Sequence, residues 1–431
     1  MQETYAFPLV QGIGAPSVPV VEVGDEVERG QKIAAIPEGK LGSNIHSSVS
    51  GTVEAVTDVE IVVRASASQP EGWARLSSKA PLDLIKESGL VGLGGAGFPT
   101  YVKLAKPFEG GGTVIVNAAE CEPILGHNIE RIEERPGRLV RGLEIAMELA
   151  QATEGVVAIK GSHAKAIEAL KGVLGPKMRV ELLKEIYPVG EERALVREIL
   201  GVLLPPTALP MEAKAIVINA ETACRIVEAV DERKPLIDKD MTVAGKLDGP
   251  LIQTFFDVPI GTTVGSMLER AGGVSAKDHG ELIMGGPFTG KRTYPDRPVV
   301  KTCGGILVAE AFWKGPERIG LLVCACGADR ERLEQIAESM GSRPVGVEYC
   351  KQAQEVKGVR KCEDPGICPG QVQKVMALKK AGAQALLISN CTDCTNTVMS
   401  CAPQLKLPVY HCTDGPLRAV NMKLVRKIKT A

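Results

Sequence analysis

Leu90-Val-Gly-Leu-Gly-Gly-Ala-Gly-Phe-Pro-Thr-Tyr-Val-Lys-Leu104 is the stretch that most constrains the fold. Four glycines, Gly92, Gly94, Gly95 and Gly97, fall within six positions, and a Phe-Pro-Thr turn follows. Glycine tolerates positive φ and lets a backbone approach a ligand without a Cβ clash. N–H groups of such a loop, running into a helix N-terminus, make an anion site suited to phosphate. Lys103 would then lie back over the loop as a counter-charge. Tight surface turns share this composition, so the next segment decides. Gly112-Thr-Val-Ile-Val-Asn117 reads as a short buried strand, and Ala118-Ala-Glu-Cys-Glu-Pro123 leaves it with two carboxylates, Glu120 and Glu122. Ligands of doubly wound α/β domains sit at such strand C-termini.

At 431 residues and 44% hydrophobic content the chain can fill two to four cores. A net charge of −1 leaves no electrostatic footprint for nucleic acid, and 3% aromatic content leaves few base-stacking surfaces. No apolar run reaches membrane-spanning length and the N-terminus has no signal pattern, so a cytoplasmic location is expected. There, twelve cysteines point to cluster or redox chemistry rather than disulfides, and nine of them lie beyond Cys303.

Helical spacing runs from Asn128 to about Ala152 with a break at Pro136. Gly155–Ile159 reads as a strand and His163–Leu174 as a helix. A second acidic turn follows at Gly190-Glu-Glu192, inside Tyr187-Pro-Val-Gly-Glu-Glu-Arg-Ala-Leu195. By default such carboxylates cap a helix. Val217-Ile-Asn-Ala-Glu-Thr222 is a further ordered segment.

Gly94-Gly-Ala-Gly-Phe-Pro-Thr100 with Lys103, then Asn117 and Glu120-Cys-Glu-Pro123, resembles the flavin- and NADH-binding subunit of respiratory complex I. It resembles still more the C subunit of Rnf-type ferredoxin:NAD oxidoreductases, which shares Glu-Cys-Glu-Pro; the segments at Tyr187 and Val217 agree. The resemblance implies that Gly94, Lys103, Asn117, Glu120, Gly190, Glu191 and Asn219 hold FMN, with Gly92, Gly95, Gly97 and Glu192 completing the set. Glu122 is then the contact for NADH. Arg193 departs from the complex I pattern, which has threonine there, so detailed ligand geometry does not carry over.

Before and after this α/β region, the same families suggest two more modules. Val23–Ile33 and His46–Val53 resemble the halves of a biotinyl/lipoyl-type barrel-sandwich hybrid. Lys40 lies near the lipoyl-lysine position, but is read as a solvated turn residue, and His46 as a strand-end hydrogen-bonder. Residues 235–310 resemble the soluble-ligand-binding β-grasp (SLBB) module, with strands at Lys239–Leu247 and Gln253–Gly261, a helix at Val264–Gly272 and a turn at Ile283–Pro287. It is read as a docking module.

The last third departs from the Rnf pattern, because neither of that family's Cys-x-x-Cys-x-x-Cys-x-x-x-Cys-Pro motifs is present. Strands at Ile319–Cys326, Pro344–Cys350 and Ala385–Asn390 alternate with helices at Arg330–Met340 and Gln371–Ala381. They deliver Cys324, Cys326, Cys350 and Cys391-Thr-Asp-Cys394 to strand ends, a parallel-sheet site. Cys391 and Cys394, entering a helix, carry a redox dithiol signature and are the expected catalytic pair and electron exit. Cys121, Cys224 and Cys303 are read as inert. The cysteine order is also similar to the small iron–sulfur subunit of methyl-viologen-type hydrogenases, in which case Cys324, Cys326, Cys350, Cys391 and Cys394 would ligate an iron–sulfur cluster.

The expected architecture is therefore α/β multidomain: barrel-sandwich 1–70, FMN/NADH α/β domain 71–232, SLBB β-grasp 233–312 and cysteine-rich α/β domain 313–431. The whole resembles the proline-reductase-associated electron-transfer proteins of amino-acid-fermenting anaerobes. That implies a flavoprotein passing electrons from NADH through FMN, and then through thiols or a cluster, to D-proline reductase or a similar dithiol reductase. The alternative is a non-catalytic peripheral subunit of a membrane Rnf-type complex.

Overall fold

The computed structural model describes residues 3–275 and 279–426; the outer ends of the first and last expected modules, 1–2 and 427–431, lie outside the described residues. Near the N-terminus, Thr4–Pro8, Glu60–Ala65, Gly51–Val56 and Glu26–Val27 form one antiparallel sheet. Val18–Pro19, Lys32–Ala35 and Ile45–His46 form a second. Ile61, Val63 and Ala65 alternate inward along their strand, the period of two that a half-buried strand requires. Lys40 is exposed on a turn. His46 differs from expectation: it is buried and its Nδ1 has no hydrogen-bond partner among the described residues.

Residues 113–219 build a parallel sheet in the order Met178–Leu183, Glu154–Lys160, Thr113–Ala118, Ala215–Asn219. Val114–Val116 and Val156–Ile159 are buried throughout, as strands covered on both faces must be. The helices His127–Glu134 and Pro136–Ala150 part at Pro136, whose missing N–H costs nothing in a first helical turn.

A mixed five-stranded sheet follows, ordered Ile252–Pro259, Asp238–Gly245, Gly305–Glu310, His279–Met284, Lys291–Thr293. Ile283 and Met284, expected in a turn, instead finish a strand paired to Leu307 and Ile306. Their apolar side chains hold them in the ladder, and the turn starts at Gly285, whose φ is +106°.

The C-terminal sheet is parallel throughout: Arg343–Tyr349, Arg318–Val323, Ala385–Ile388, Val409–His411. Arg330–Ser339, Val372–Lys380 and Thr392–Cys401 are its helices. The hairpin Ala353–Val356/Val359–Cys362 escapes sequence reading because its strands are short and polar; Lys357 and Gly358, both at positive φ, turn it.

These sheets are tied by buried charge. Arg131 and Arg225 both bond Asp240 across the boundary between the parallel sheet and the mixed five-stranded sheet, and Lys239 bonds Glu221. Lys301, 1% exposed, donates to Ser43 Oγ (3.1 Å), Asn44 O (2.6 Å) and Gly89 O (2.9 Å), joining three modules at one amine. Among the described residues no helix is long and apolar enough to cross a membrane.

Candidate functional site

The glycine loop closes on itself, Gly92 N donating to Phe98 O (2.9 Å) and Thr100 N to Leu90 O (3.1 Å). Its glycines divide by role. Gly97, at φ +71°, presses on the N-terminal module, where a Cβ would stand 2.6 Å from Gly12 Cα. That is packing rather than ligand approach. Gly92 would meet only ordinary contact with Phe98. Gly94 and Gly95 are exposed: a Cβ on Gly94 would run into the Asn219 carboxamide, and one on Gly95 would enter open space. The following helix, Thr100–Leu104, has five residues and no side-chain cap. So short a helix sums few peptide dipoles, which corrects the expected helix-terminus anion site. The groups here that could meet an anion are the loop N–H groups and Lys103, whose Nζ is paired with Glu192.

Lys103 Nζ lies 2.5 Å from Glu192 Oε1 and 2.9 Å from Val217 O. Asn117 Nδ2 donates to Gly190 O at 2.8 Å, while Asn219, its neighbour in the ladder, caps the helix Ala220–Val230. Glu191 caps the helix Glu192–Leu200 through Arg193 N and Ala194 N, and Arg193 Nε folds back onto it at 3.0 Å. Gly94, Lys103, Asn117, Gly190, Glu192 and Asn219 thus converge, with Glu191 beside them as a cap. The open space at Gly95, the exposed loop and the Lys103 cation fit a phosphate-bearing flavin.

Glu120 and Ile124 both take positive φ, +38° and +78°, so the segment leaving the strand is strained. Glu120 Oε2 accepts from Asn128 Nδ2 at 2.7 Å, and burial pushes its carboxyl up to about 7. Glu122, the expected NADH contact, lines the same cavity as Glu120 and Lys160 and is also held from the neighbouring sheet. Its carboxylate accepts from Phe288 N (2.7 Å), Thr289 N (2.8 Å) and Thr289 Oγ1 (2.6 Å), so it pins the neighbouring sheet's turn. Cys121, between them, accepts the Gly190 N–H at 2.8 Å on its Sγ.

The same wall carries the thiols. Tyr187 N donates to Thr392 Oγ1 (3.0 Å) and Thr392 N returns to Tyr187 O (3.2 Å), while the Tyr187 hydroxyl donates to Cys326 O. Cys324, Cys350, Cys391 and Cys394 are buried in one cluster with Tyr187 and Phe288; Cys121, Cys326 and Cys368 pack on its margin. The structure therefore brings all five sequence-nominated C-terminal cysteines together. Cys391 stands at the N-cap position of the helix Thr392–Cys401 without a side-chain cap bond, and its thiol is pushed down to about 4 by hydrogen bonds from Cys324 and Cys394. Cys391 and Cys394, the expected electron exit, are each 2% exposed.

Sequence reading missed two members. Cys368 is half-buried, and its thiol is held down at about 6, first by Cys394. Gln371, wholly buried, donates through Nε2 to Cys350 Sγ (3.1 Å) and Cys394 Sγ (3.4 Å). The signal available was Cys362-x5-Cys368 ahead of a helix. An all-thiolate set of this kind is compatible with iron–sulfur ligation, and Cys324, Cys350, Cys391 and Cys394 would supply it. Among the described residues no three or more His, Cys, Asp or Glu side chains are arranged around a single metal ion.

A cavity of about 800 Å³ opens between these parts, lined by Glu120, Lys160, His163, Tyr187, Thr392 and Arg426 among others. Lys160 Nζ bonds Glu120 O at 3.1 Å, at the strand C-termini where such a fold receives its ligand.

Residues 85–228 match the model of the Nuo51 FMN-binding domain, and residues 1–69 that of the RnfC barrel sandwich hybrid domain. The C subunit of the proton-translocating ferredoxin:NAD(+) oxidoreductase complex of Clostridium ljungdahlii is 36% identical over 70% of this chain and 69% of its own. Its Na(+)-translocating counterpart from Acetobacterium woodii is 33% identical over 71% of this chain and 73% of its own. Cobalamin reductase PduS of Salmonella typhimurium is 39% identical over 54% of this chain. The chain spans half the length of that last protein.

Proposed function

Since the chain belongs to the RnfC family of ferredoxin:NAD oxidoreductase components, we propose that it is an electron-transfer flavoprotein. In this reading NADH is the donor, FMN lies at the loop Gly92–Gly97, and the thiols of residues 313–431 receive the electrons. When bound, FMN would supply two-electron acceptance from the nicotinamide and onward transfer to an acceptor. Lys103 and the exposed loop N–H groups hold its phosphate, Asn117 and Asn219 fix the adjoining strand ends, and Glu120 can hold or release a proton near neutral pH. The cavity beside Glu120 and Lys160 admits the nicotinamide nucleotide. The barrel-sandwich and SLBB-like β-grasp modules act as docking parts. The acceptor is a dithiol-dependent reductase of the D-proline reductase kind.

The observation that carries this reading is the reciprocal bond pair between Tyr187 and Thr392, because it clamps the Gly190 turn to the helix that bears Cys391 and Cys394. Purified protein tests it directly. It should be yellow, bleach on anaerobic addition of NADH, and then reduce a disulfide; a preparation that never binds FMN sinks it. Family membership favours one second reading, a peripheral component of a membrane Rnf-type complex. That reading predicts that bleached protein passes electrons only when the membrane partner is present.

A further inference from the structure

The geometry points to Cys368, backed by Cys394, as the thiol that attacks an external disulfide. This extends the proposed thiol relay by naming its outlet. Five observations carry it. Cys324, Cys350, Cys391 and Cys394 are all buried at 4% exposure or less, so a disulfide on another protein cannot reach them without local opening. Cys368 is half-buried on the cluster margin, in the loop before the helix Val372–Lys380. Its backbone N–H donates to Asp393 Oδ2 (2.8 Å) and its Sγ accepts the Gly370 N–H (3.3 Å), which fixes the thiol relative to the helix carrying Cys394. Gln371 Nε2 lies 3.4 Å from Cys394 Sγ and 3.9 Å from Cys368 Sγ, so one buried amide touches both sulfurs. Ile367, Val372 and Met376 stand exposed near this loop and give an acceptor protein an apolar footing.

The exchange balances within these groups. The Cys368 thiolate attacks one sulfur of the acceptor disulfide, forming a mixed disulfide and releasing the other acceptor sulfur as thiolate. Cys394, its proton lost to solvent, then attacks Cys368 Sγ. A Cys368–Cys394 disulfide forms and the second acceptor sulfur leaves. The acceptor gains two electrons and, with two protons, becomes a dithiol, while this chain is oxidised by two electrons. Gln371 positions both sulfurs and is not consumed.

The test uses the full chain, reduced and freed of reductant under anaerobic conditions, with 4,4′-dithiodipyridine as the disulfide. Peptide mapping of wild type after one equivalent should find a Cys368–Cys394 disulfide. Cys394→Ser should trap the pyridyl adduct on Cys368, and Cys368→Ser should react at least tenfold more slowly. Gln371→Met should slow the second step, with Gln371→Glu failing to restore it. Mapping the wild-type disulfide needs no variant to fold. A disulfide or adduct at other cysteines, or an unchanged rate in Cys368→Ser, overturns the inference. Bleaching by NADH, followed in the same samples, reports on the flavin reading separately, because chemical reduction bypasses it.

Discussion

Tyr187 and Phe288 stack face to face, with ring centroids 3.6 Å apart and planes within 4°, although one follows the strand Met178–Leu183 of the parallel sheet and the other lies in a turn of the mixed five-stranded sheet. His411 of the C-terminal sheet meets Phe288 edge-on at 5.4 Å, so three modules share one aromatic contact. Tyr187→Ala should remove about 1 kcal/mol of coupling between modules, the worth of such a pair beyond its buried area. Calorimetry should show the thermal transition splitting or broadening. Rapid mixing with NADH should show flavin reduction at the wild-type rate and slower electron arrival at the thiols. Equal thiol arrival in the variant would mean the stack is packing alone.

The two ends of the glycine loop should respond differently. Gly95→Val should lower flavin content at least tenfold at unchanged melting temperature, because its side chain enters open space. Gly97→Ala should keep the site chemistry but cost about 1–3 kcal/mol, since φ +71° and the Gly12 contact both resist a Cβ. Flavin absorbance and thermal melts, measured side by side, separate the two effects.

Cys394→Ser should leave NADH bleaching intact and abolish transfer to a disulfide, because a lone thiol cannot complete two-electron exchange. Where iron is bound, the same variant should also lose iron and labile sulfide. Full transfer by the variant would remove Cys394 from the relay.

Lys301 makes stability depend on alkaline pH. Burial pushes its amine down to about 7 from 10.5, so between those values the unfolded chain binds more protons and stability rises with pH. Lys301→Met leaves Ser43 Oγ, Asn44 O and Gly89 O without this donor, and should cost about 2 kcal/mol. Denaturant titrations from pH 7 to 10 should show the wild-type slope and its loss in the variant.

Glu120 acts in the opposite sense over a lower window. Its folded carboxyl, raised from 4.5 to about 7, binds more protons than the unfolded one, so stability falls as pH rises across that interval. Glu120→Gln should flatten the profile there. An unchanged profile would mean that Glu120 is ionised in the folded protein.

Much of the scaffold was legible because local rules set it. Thr113–Ala118 and Ala385–Ile388 are apolar runs of strand length, and Pro136 cannot continue a helix, so strands, helices and the break all follow from adjacent residues. The convergence of Lys103, Asn117, Gly190 and Asn219 was legible only through resemblance, since no local rule brings residues a hundred positions apart together. The short polar hairpin Ala353–Cys362 carried too little periodicity to be read.

What the sequence alone determined is the set of reactive parts: a glycine loop, acidic strand ends, and thiols at the ends of parallel strands. Which of them face a ligand was decided by tertiary contact. Gly97 serves Gly12, Glu122 bonds the Phe288 turn, and Cys391 and Cys394 are buried because Tyr187 and Phe288 of other sheets pack with them. Exposure and hydrogen-bond partnership are properties of the assembled surface. A residue's type fixes what chemistry it can do, and only its neighbours across the fold fix whether anything can reach it.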